Sequence, residues 1–204
     1  MSAQGGQTRR QMYAEQTRQA IIAAARRLFA EQGYAQTKVE EIARAAQVAP
    51  ITVYSAVGGK LGILRTLMEI WSATPKNDEL LNRVLAEREP RAVIACLAAG
   101  VRSLREEFGD IAYFMQDAAP HDPDVHKSLE VATGRYRAFF VHVVEHLANL
   151  GSLRPDLTPR DAADICWFYF GYWGYYTLHN ENGWPYERAE AWLYDMATAA
   201  LLKD

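Results

Sequence analysis

Apolar residues recur every three or four positions along almost the whole chain, and no stretch keeps the two-residue alternation of a half-buried strand. From Ala14 to Glu31 this period places Ile21, Ile22, Ala25, Leu28 and Phe29 on one face of a helix. Gly33, comfortable at positive φ, supplies its stop. Residues 1–13, rich in Gly and Gln with Arg9 and Arg10, are expected to form a disordered arm. Thr37 and Glu40 stand at capping-box spacing ahead of a short helix carrying Val39, Ile42, Ala43 and Ala46 inward. Gln47 and Val48 make a turn, and Pro50 suits the first position of the next short helix. There Val53 and Val57 point inward, leaving Ile51, Thr52, Tyr54, Ser55 and Ala56 outward. Gly58-Gly59 breaks the chain, and Lys60 opens a helix with Leu61, Leu64, Leu67, Met68 and Trp71 on one side. The pattern stops near Thr74 and Pro75, the expected boundary between a domain at 14–73 and a second at 74–204.

Helix follows helix beyond that point. Leu80–Glu87 is a short one. Pro90 opens another with Val93, Ile94, Leu97, Val101, Leu104 and Phe108, which Gly109-Asp110 ends before a short piece at Ile111–Ala118. Asp122 and Pro123 cap and start a long helix to about Asn149, and Gly151 stops it. Thr158, Pro159 and Asp161 open one expected to run to about His179. After Asn182-Gly183, Pro185 starts a last helix with Ala189, Trp192, Leu193, Met196, Ala200 and Leu201 on one face. The fold class is all-α.

Two joined short helices, the second exposing small and hydroxyl side chains, suit insertion into a DNA major groove. Charge distribution agrees. The net charge is −3, yet residues 1–71 hold nine Lys/Arg against five Asp/Glu, and the remainder thirteen against twenty. A basic head on an acidic body results. Half the residues are hydrophobic and 23% charged, as in an ordinary globular protein. Apolar runs break well before the ~20 residues that span a bilayer, so no membrane partner is expected. The polar opening MSAQGGQTRRQ lacks the apolar core of a signal peptide, and a cytoplasmic location is expected. Cys96 and Cys166 lack CxxC spacing and are expected to be reduced, buried thiols.

From Thr17 to Trp71 the chain resembles the DNA-binding domain of TetR-family transcriptional regulators. The matching residues are Ile21, Ala24, Ala25, Leu28, Phe29, Gly33, Tyr34, Thr37, Val39, Ile42, Ala43, Ala46, Val48, Thr52, Val53, Tyr54, Lys60 and Leu64. The resemblance implies a three-helix helix-turn-helix head and a helical ligand-binding and dimerisation body. It also implies phosphate contacts from Thr37, Thr52, Tyr54 and Lys60. Gln47, Pro50, Ile51 and Ser55 are the candidates for base edges. Three positions depart from the pattern: Gln47 replaces the usual turn glycine, Ala49 cannot cap, and Ser55-Ala56-Val57 is smaller than usual. A modest direct readout is expected.

Residues 165–178, ICWFYFGYWGYYTL, are apolar nearly all round, so a helix here must be covered on every side. TetR-like proteins pair their last two long helices with a second subunit. By that resemblance Phe170, Gly171, Gly174, Leu178, Trp192 and Met196 are expected at a homodimer interface, and the run Ala162–Leu202 is similar to some TetR-like bodies. Tyr113, Phe114, Gln116, Asp117, Tyr136, Phe139, Phe140 and Trp167 are the candidates for lining a pocket for an apolar or planar effector. The implied function is a homodimeric repressor that a small molecule releases from a palindromic double-stranded DNA operator. The alternative is a helical binding protein that has lost specific DNA reading.

Other chemistry is weaker. His142-Val143-Val144-Glu145-His146 spells HxxEH, a zinc-hydrolase pattern, but inside an amphipathic helix and without a third ligand at suitable distance. His121, Asp122, Asp124 and His126 could approach a divalent metal, though capping explains the acids. There is no Gly-rich phosphate loop and no GxSxG. No catalytic residue, metal or cofactor is expected.

Overall fold

The structure, a computed structural model, describes residues 8–72 and 74–203. They form ten α-helices, a 3-10 turn at Ala119–His121, a π-helical segment at Tyr176–Glu181, and one isolated antiparallel bridge between Leu153 and Leu202. The described residues divide into two compact units: 8–72 with 114–126, and 74–113 with 127–203.

In the first unit, α1 spans Arg9–Gln32 and buries Ile21, Ile22, Ala24, Ala25 and Phe29. It begins five residues ahead of the expected Ala14. Thr8 accepts from the Gln11 amide, and the Gln11 side chain accepts in return from the Thr8 amide, 2.8 Å. This capping box makes residues 9–13 of the supposed arm helical; residues 1–7 lie outside the described residues. Gly33, at φ 85°, donates its amide to Phe29.

Helices α2 (Val39–Ala45), α3 (Pro50–Val57) and α4 (Gly59–Ser72) follow. Ile42, Ala43, Val53, Ile63, Leu64 and Leu67 are buried, whereas Val57, Leu61, Met68 and Trp71 are only partly so. Gly58 and Gly59 both have positive φ, which lets α4 start directly after α3. A β-carbon on Gly62 would lie 1.7 Å from the Val57 carbonyl oxygen, so the close approach of the two helices requires glycine there. From the later segment of this unit, Phe114 packs edge-on against Phe29 at 5.6 Å.

The second unit contains α5 (Lys76–Ala86), most of α6 (Pro90–Ala118) and of α7 (Pro123–Asn149), then α8 (Pro159–Phe170), α9 (Tyr172–Tyr175) and α10 (Tyr186–Leu201). Helix α6 runs unbroken through Gly109. Leu97, Val101, Leu104, Phe108, Ile111 and Met115 continue one buried stripe across it. Burying that stripe outweighs the ~1 kcal/mol a helical glycine costs. Asp122 caps α7 by accepting from the Asp124 and Val125 amides at 2.9 and 3.1 Å. Thr158 and Asp161 form the box that starts α8.

The expected single helix to His179 instead breaks at Gly171. Its amide donates to Trp167, and a β-carbon would fall 2.2 Å from the Trp167 carbonyl oxygen. At Gly174 the equivalent atom would fall 2.0 Å from the Tyr169 carbonyl oxygen. Both glycines therefore serve close backbone approach within their own chain, and Gly171 is buried there. Helix α10 buries Ala189, Leu193, Ala197 and Leu201, a strict four-residue stripe, and leaves Trp192 40% exposed and Met196 partly exposed. Cys166 is buried and its thiol pushed up to about 12 by that burial; Cys96, contrary to expectation, is only partly covered.

Candidate nucleic-acid interface

The turn between α2 and α3 is built by backbone hydrogen bonds. Val48 donates to Ala43 at 2.9 Å, and Gln47 to Arg44 at 3.2 Å. This six-to-one and five-to-two pair is a Schellman stop, which needs a left-handed residue between α2 and Val48. Gln47 is that residue, at φ 56°, and among the described residues no other non-glycine has positive φ. Helix α3 then starts on Pro50 with Ala49 as an N-cap lacking any side-chain bond.

Val53, fully buried, fixes which face of α3 is outward. On that face Ile51 is 73% and Tyr54 55% exposed, large values for apolar or aromatic side chains. Gln47, Pro50 and Ser55 are exposed beside them, and Thr52 is partly covered. The Ser55 hydroxyl donates back to the Thr52 carbonyl at 3.2 Å. The Tyr54 ring would lie 3.0 Å from a β-carbon on Gly59, so the glycine makes room for it.

Thr37 and Lys60 are placed differently. Thr37 is 2% exposed, and its hydroxyl donates to the Gly33 carbonyl at 2.8 Å. It does not cap α2. Lys38 holds that position, and the Glu41 carboxylate accepts from the Lys38 amide at 2.9 Å and from the Gln32 side chain at 3.0 Å. The capping register lies one residue later than Thr37 and Glu40 suggest. Those two bonds, the backbone one foremost, hold the Glu41 carboxyl below its ordinary range.

The Lys60 ammonium donates to the carbonyls of Tyr34, Ala35 and Thr37 at 2.6, 3.2 and 3.0 Å and lies 4.4 Å above the Tyr34 ring. Desolvation lowers its pKa, with Asp117 opposing. In this state both residues brace the α1–α2 turn from inside. Lys38, at the N-cap of α2, and Arg44, on α2, are exposed cations of the same motif.

The eight effector candidates fall in two groups. Phe114, Gln116 and Asp117 belong to the first unit, Phe114 buried against Phe29. Tyr113, Tyr136, Phe139, Phe140 and Trp167 belong to the second. Tyr113 stacks on Tyr176 at 4.8 Å. Tyr136 is the hub of the rest, 4.8 Å from Phe140, 6.2 Å from Phe139 and 5.6 Å from Trp167. A separate open groove of about 290 Å³, lined by Ala95, Ala98, Arg102, Glu187, Glu190, Ala191 and Tyr194, includes none of the eight.

Of the interface candidates, Phe170 and Gly171 are buried within the chain, whereas Leu178, Trp192 and Met196 are partly or well exposed. Phe168, 73% exposed on α8, was not singled out, because in an all-apolar run the period does not say which residue faces out. The HxxEH histidines take separate partners: His142 pairs with Glu145, and His146 bonds the Glu87 carbonyl at 2.8 Å. Among the described residues no three His, Cys, Asp or Glu side chains converge on a metal position, and no helix is long and apolar enough to cross a membrane.

A three-helix head with an exposed second helix after a tight turn is a helix-turn-helix arrangement. Residues 21–67 match the model of bacterial regulatory proteins of the tetR family. The HTH-type transcriptional regulator SrpR of Pseudomonas putida is 28% identical over 145 residues, 71% of this chain and 67% of that protein. The fold recurs in NalD, the secondary repressor of the MexAB-OprM multidrug efflux pump in Pseudomonas aeruginosa, at 24% identity and TM-score 0.62, covering 95% of this chain and 99% of that one. It recurs again in the SmeT–triclosan complex, at 21% identity and TM-score 0.67, covering 92% of each chain. Residues 21–67 are thus similar to the DNA-binding domain of the tetR family, and the fold as a whole recurs in these solved structures.

Proposed function

We propose that the protein is a homodimeric repressor that binds a palindromic operator through α3 and is released by a small apolar or aromatic molecule bound in its helical body. The observation that carries the reading is the outward face of α3, where Ile51 and Tyr54 are exposed beside Pro50, Thr52, Ser55 and Gln47. Ile51 and Pro50 suit thymine methyls, Gln47 suits adenine, and the Tyr54 and Thr52 hydroxyls suit phosphate oxygens. Thr37 and Lys60 support this surface from behind.

Dimerisation is supported by the exposed aromatics of the second unit: Phe168, Trp173 at 50% and Trp192. Trp192 meets Tyr169 and Trp184 edge-on at 6.4 Å each, and Phe168 adjoins Tyr169 at 5.2 Å. A second copy would cover such a patch and set two recognition helices one DNA turn apart. NalD is a repressor of an efflux pump and SmeT is seen with triclosan, which supports release by small molecules here. Release requires that the molecule bind the DNA-free spacing of the heads more tightly.

A second reading, a body that binds ligands while its head reads no sequence, draws on the uncapped Ala49 and on Ser55, whose hydroxyl is bonded within its own helix. Fluorescence anisotropy against the DNA flanking the protein's own gene, with a scrambled control at two salt concentrations, separates the two. Preference for the native fragment, lost in Ile51→Ala/Tyr54→Ala, is expected of the repressor. Equal and salt-sensitive binding to every fragment in a genome-wide selection would favour the second.

A further inference from the structure

Arg105, on α6, is 7% exposed and has no carboxylate partner among the described residues. Its side-chain hydrogen bonds all run from Nη2, to the Tyr136 hydroxyl at 3.0 Å and to the carbonyls of Gly171 at 3.1 Å and Phe170 at 3.5 Å. Nε is buried with no partner. The guanidinium lies 5.4 Å from the Tyr136 ring and 5.6 Å from the Tyr172 ring. Tyr136 in turn donates to the Phe170 carbonyl at 2.6 Å, and burial pushes its pKa up to about 12, so it stays a neutral hydroxyl.

Two carbonyls at the end of α8 and two ring faces are favourable dipoles, but they carry no full charge. An arginine taken from water normally recovers its hydration through a carboxylate or phosphate held by parallel N–H bonds. Here Nε is unmet, and no carboxylate among the described residues pairs with the guanidinium. Around it Tyr136, Trp167 and Tyr172 meet edge-on or tilted at 5.3 to 5.8 Å, with Phe139 and Phe140 behind Tyr136. Tyr136 and Trp167 remain partly open to solvent. At that rim Arg137 lies 4.6 Å over the Trp167 ring, held by Asp164 at 3.1 Å.

We propose that Arg105 is the anchor for the anionic group of the effector, a planar aromatic carboxylate whose ring lies against the partly open Tyr136 and Trp167 rings. This rests on the ligand-responsive reading above and narrows it. The carboxylate takes the unmet donor and supplies the missing charge, while the rings stack on or meet the effector edge-on. The same cation turns away quaternary ammonium and other cationic molecules, which an aromatic cluster alone would attract.

The test titrates the full-length protein with 2-naphthoate and its neutral counterpart 2-naphthamide, by calorimetry and by tryptophan fluorescence. The intact protein is expected to bind the carboxylate about tenfold or more tightly than the amide, the scale of a charge-assisted bond. Arg105→Gln should abolish or reverse that preference while still binding the amide, which shows that the body remains folded. Arg105→Lys should keep a reduced preference. Equal affinity of the intact protein for the two probes, no binding of naphthoate, or a preference surviving in Arg105→Gln would each overturn the proposal. Release of operator DNA by naphthamide as readily as by naphthoate would do so too, while leaving the ligand-responsive reading intact.

Discussion

Gln47→Gly perturbs one residue whose surroundings are simple enough to work through. Gln47 sits at φ 56°, where the β-carbon of an L-residue crowds the following carbonyl at a cost of roughly 1–2 kcal/mol. Its side chain is exposed, so truncation loses little burial. The two Schellman bonds are made by backbone atoms that glycine keeps. Against the relief stands the extra freedom of glycine in the unfolded chain, about 0.5–1 kcal/mol. The expected net gain is about 0.5–1 kcal/mol, which for a chain of this length raises Tm by roughly 1–4 °C. Scanning calorimetry of the natural protein, Gln47→Gly and Gln47→Ala measures it. Alanine keeps the β-carbon and lacks the amide, so it should give no gain. A glycine variant no more stable than the alanine one would refute the argument, because the left-handed cost would then be negligible or met by a side-chain contact. Operator affinity measured alongside separates the two uses of this position: a more stable variant that binds DNA less tightly is expected if the Gln47 amide also reads a base.

Two glycines make an opposed pair. Gly62→Ala places a β-carbon on the Val57 carbonyl and should cost about 3 kcal/mol or more by urea unfolding, whereas Gly134→Ala, mid-helix in open space, should stabilise by up to about 1 kcal/mol; similar effects of the two would contradict the packed α3–α4 junction. The Asp161 carboxylate accepts from the Thr158 hydroxyl at 2.6 Å and amide at 3.2 Å, the hydroxyl foremost in holding its pKa below the ordinary range. A depressed carboxyl contributes stability that is complete above the unfolded pKa, about 3.9, and lost as pH falls through the lower folded value. The natural protein should therefore exceed Asp161→Asn in urea midpoint at pH 7, and the gap should close towards about pH 2; a constant gap would place the effect outside titration.

Features settled by neighbours in sequence were legible in it. Pro50 at the start of α3, Asp122 capping α7, the Thr158 start of α8 and the buried Val53 all follow from spacings of four residues or fewer. The T-x-x-Q box at Thr8 was legible too, but flexible composition around it drew the expectation toward disorder. The internal contacts of Thr37 and Lys60 were not legible in the sequence. The Lys60 partners lie in the α1–α2 turn, 23 to 26 residues away, and a motif records that a lysine is present without saying which oxygens it meets; Thr37 turns back to Gly33, only four residues away, because it is buried there. Gly109, among Glu106, Glu107 and Asp110, continues a helix, whereas Gly171, in an aromatic run, breaks one. What separates them is a carbonyl against which only Gly171 has no room for a β-carbon.

Lys60 also changes how the head's charge is understood. Three carbonyl oxygens converge on one ammonium, much as they would on a bound potassium ion, except that this cation is tethered and cannot be diluted away or exchanged for another. Arg65 is likewise held by Asp124, Arg27 by Glu31 and Arg18 lies near Glu15. The surplus of basic residues in the first third is thus partly internal wiring, and the field that an approaching polyanion meets rests on fewer groups, with Lys38 and Arg44 exposed among them.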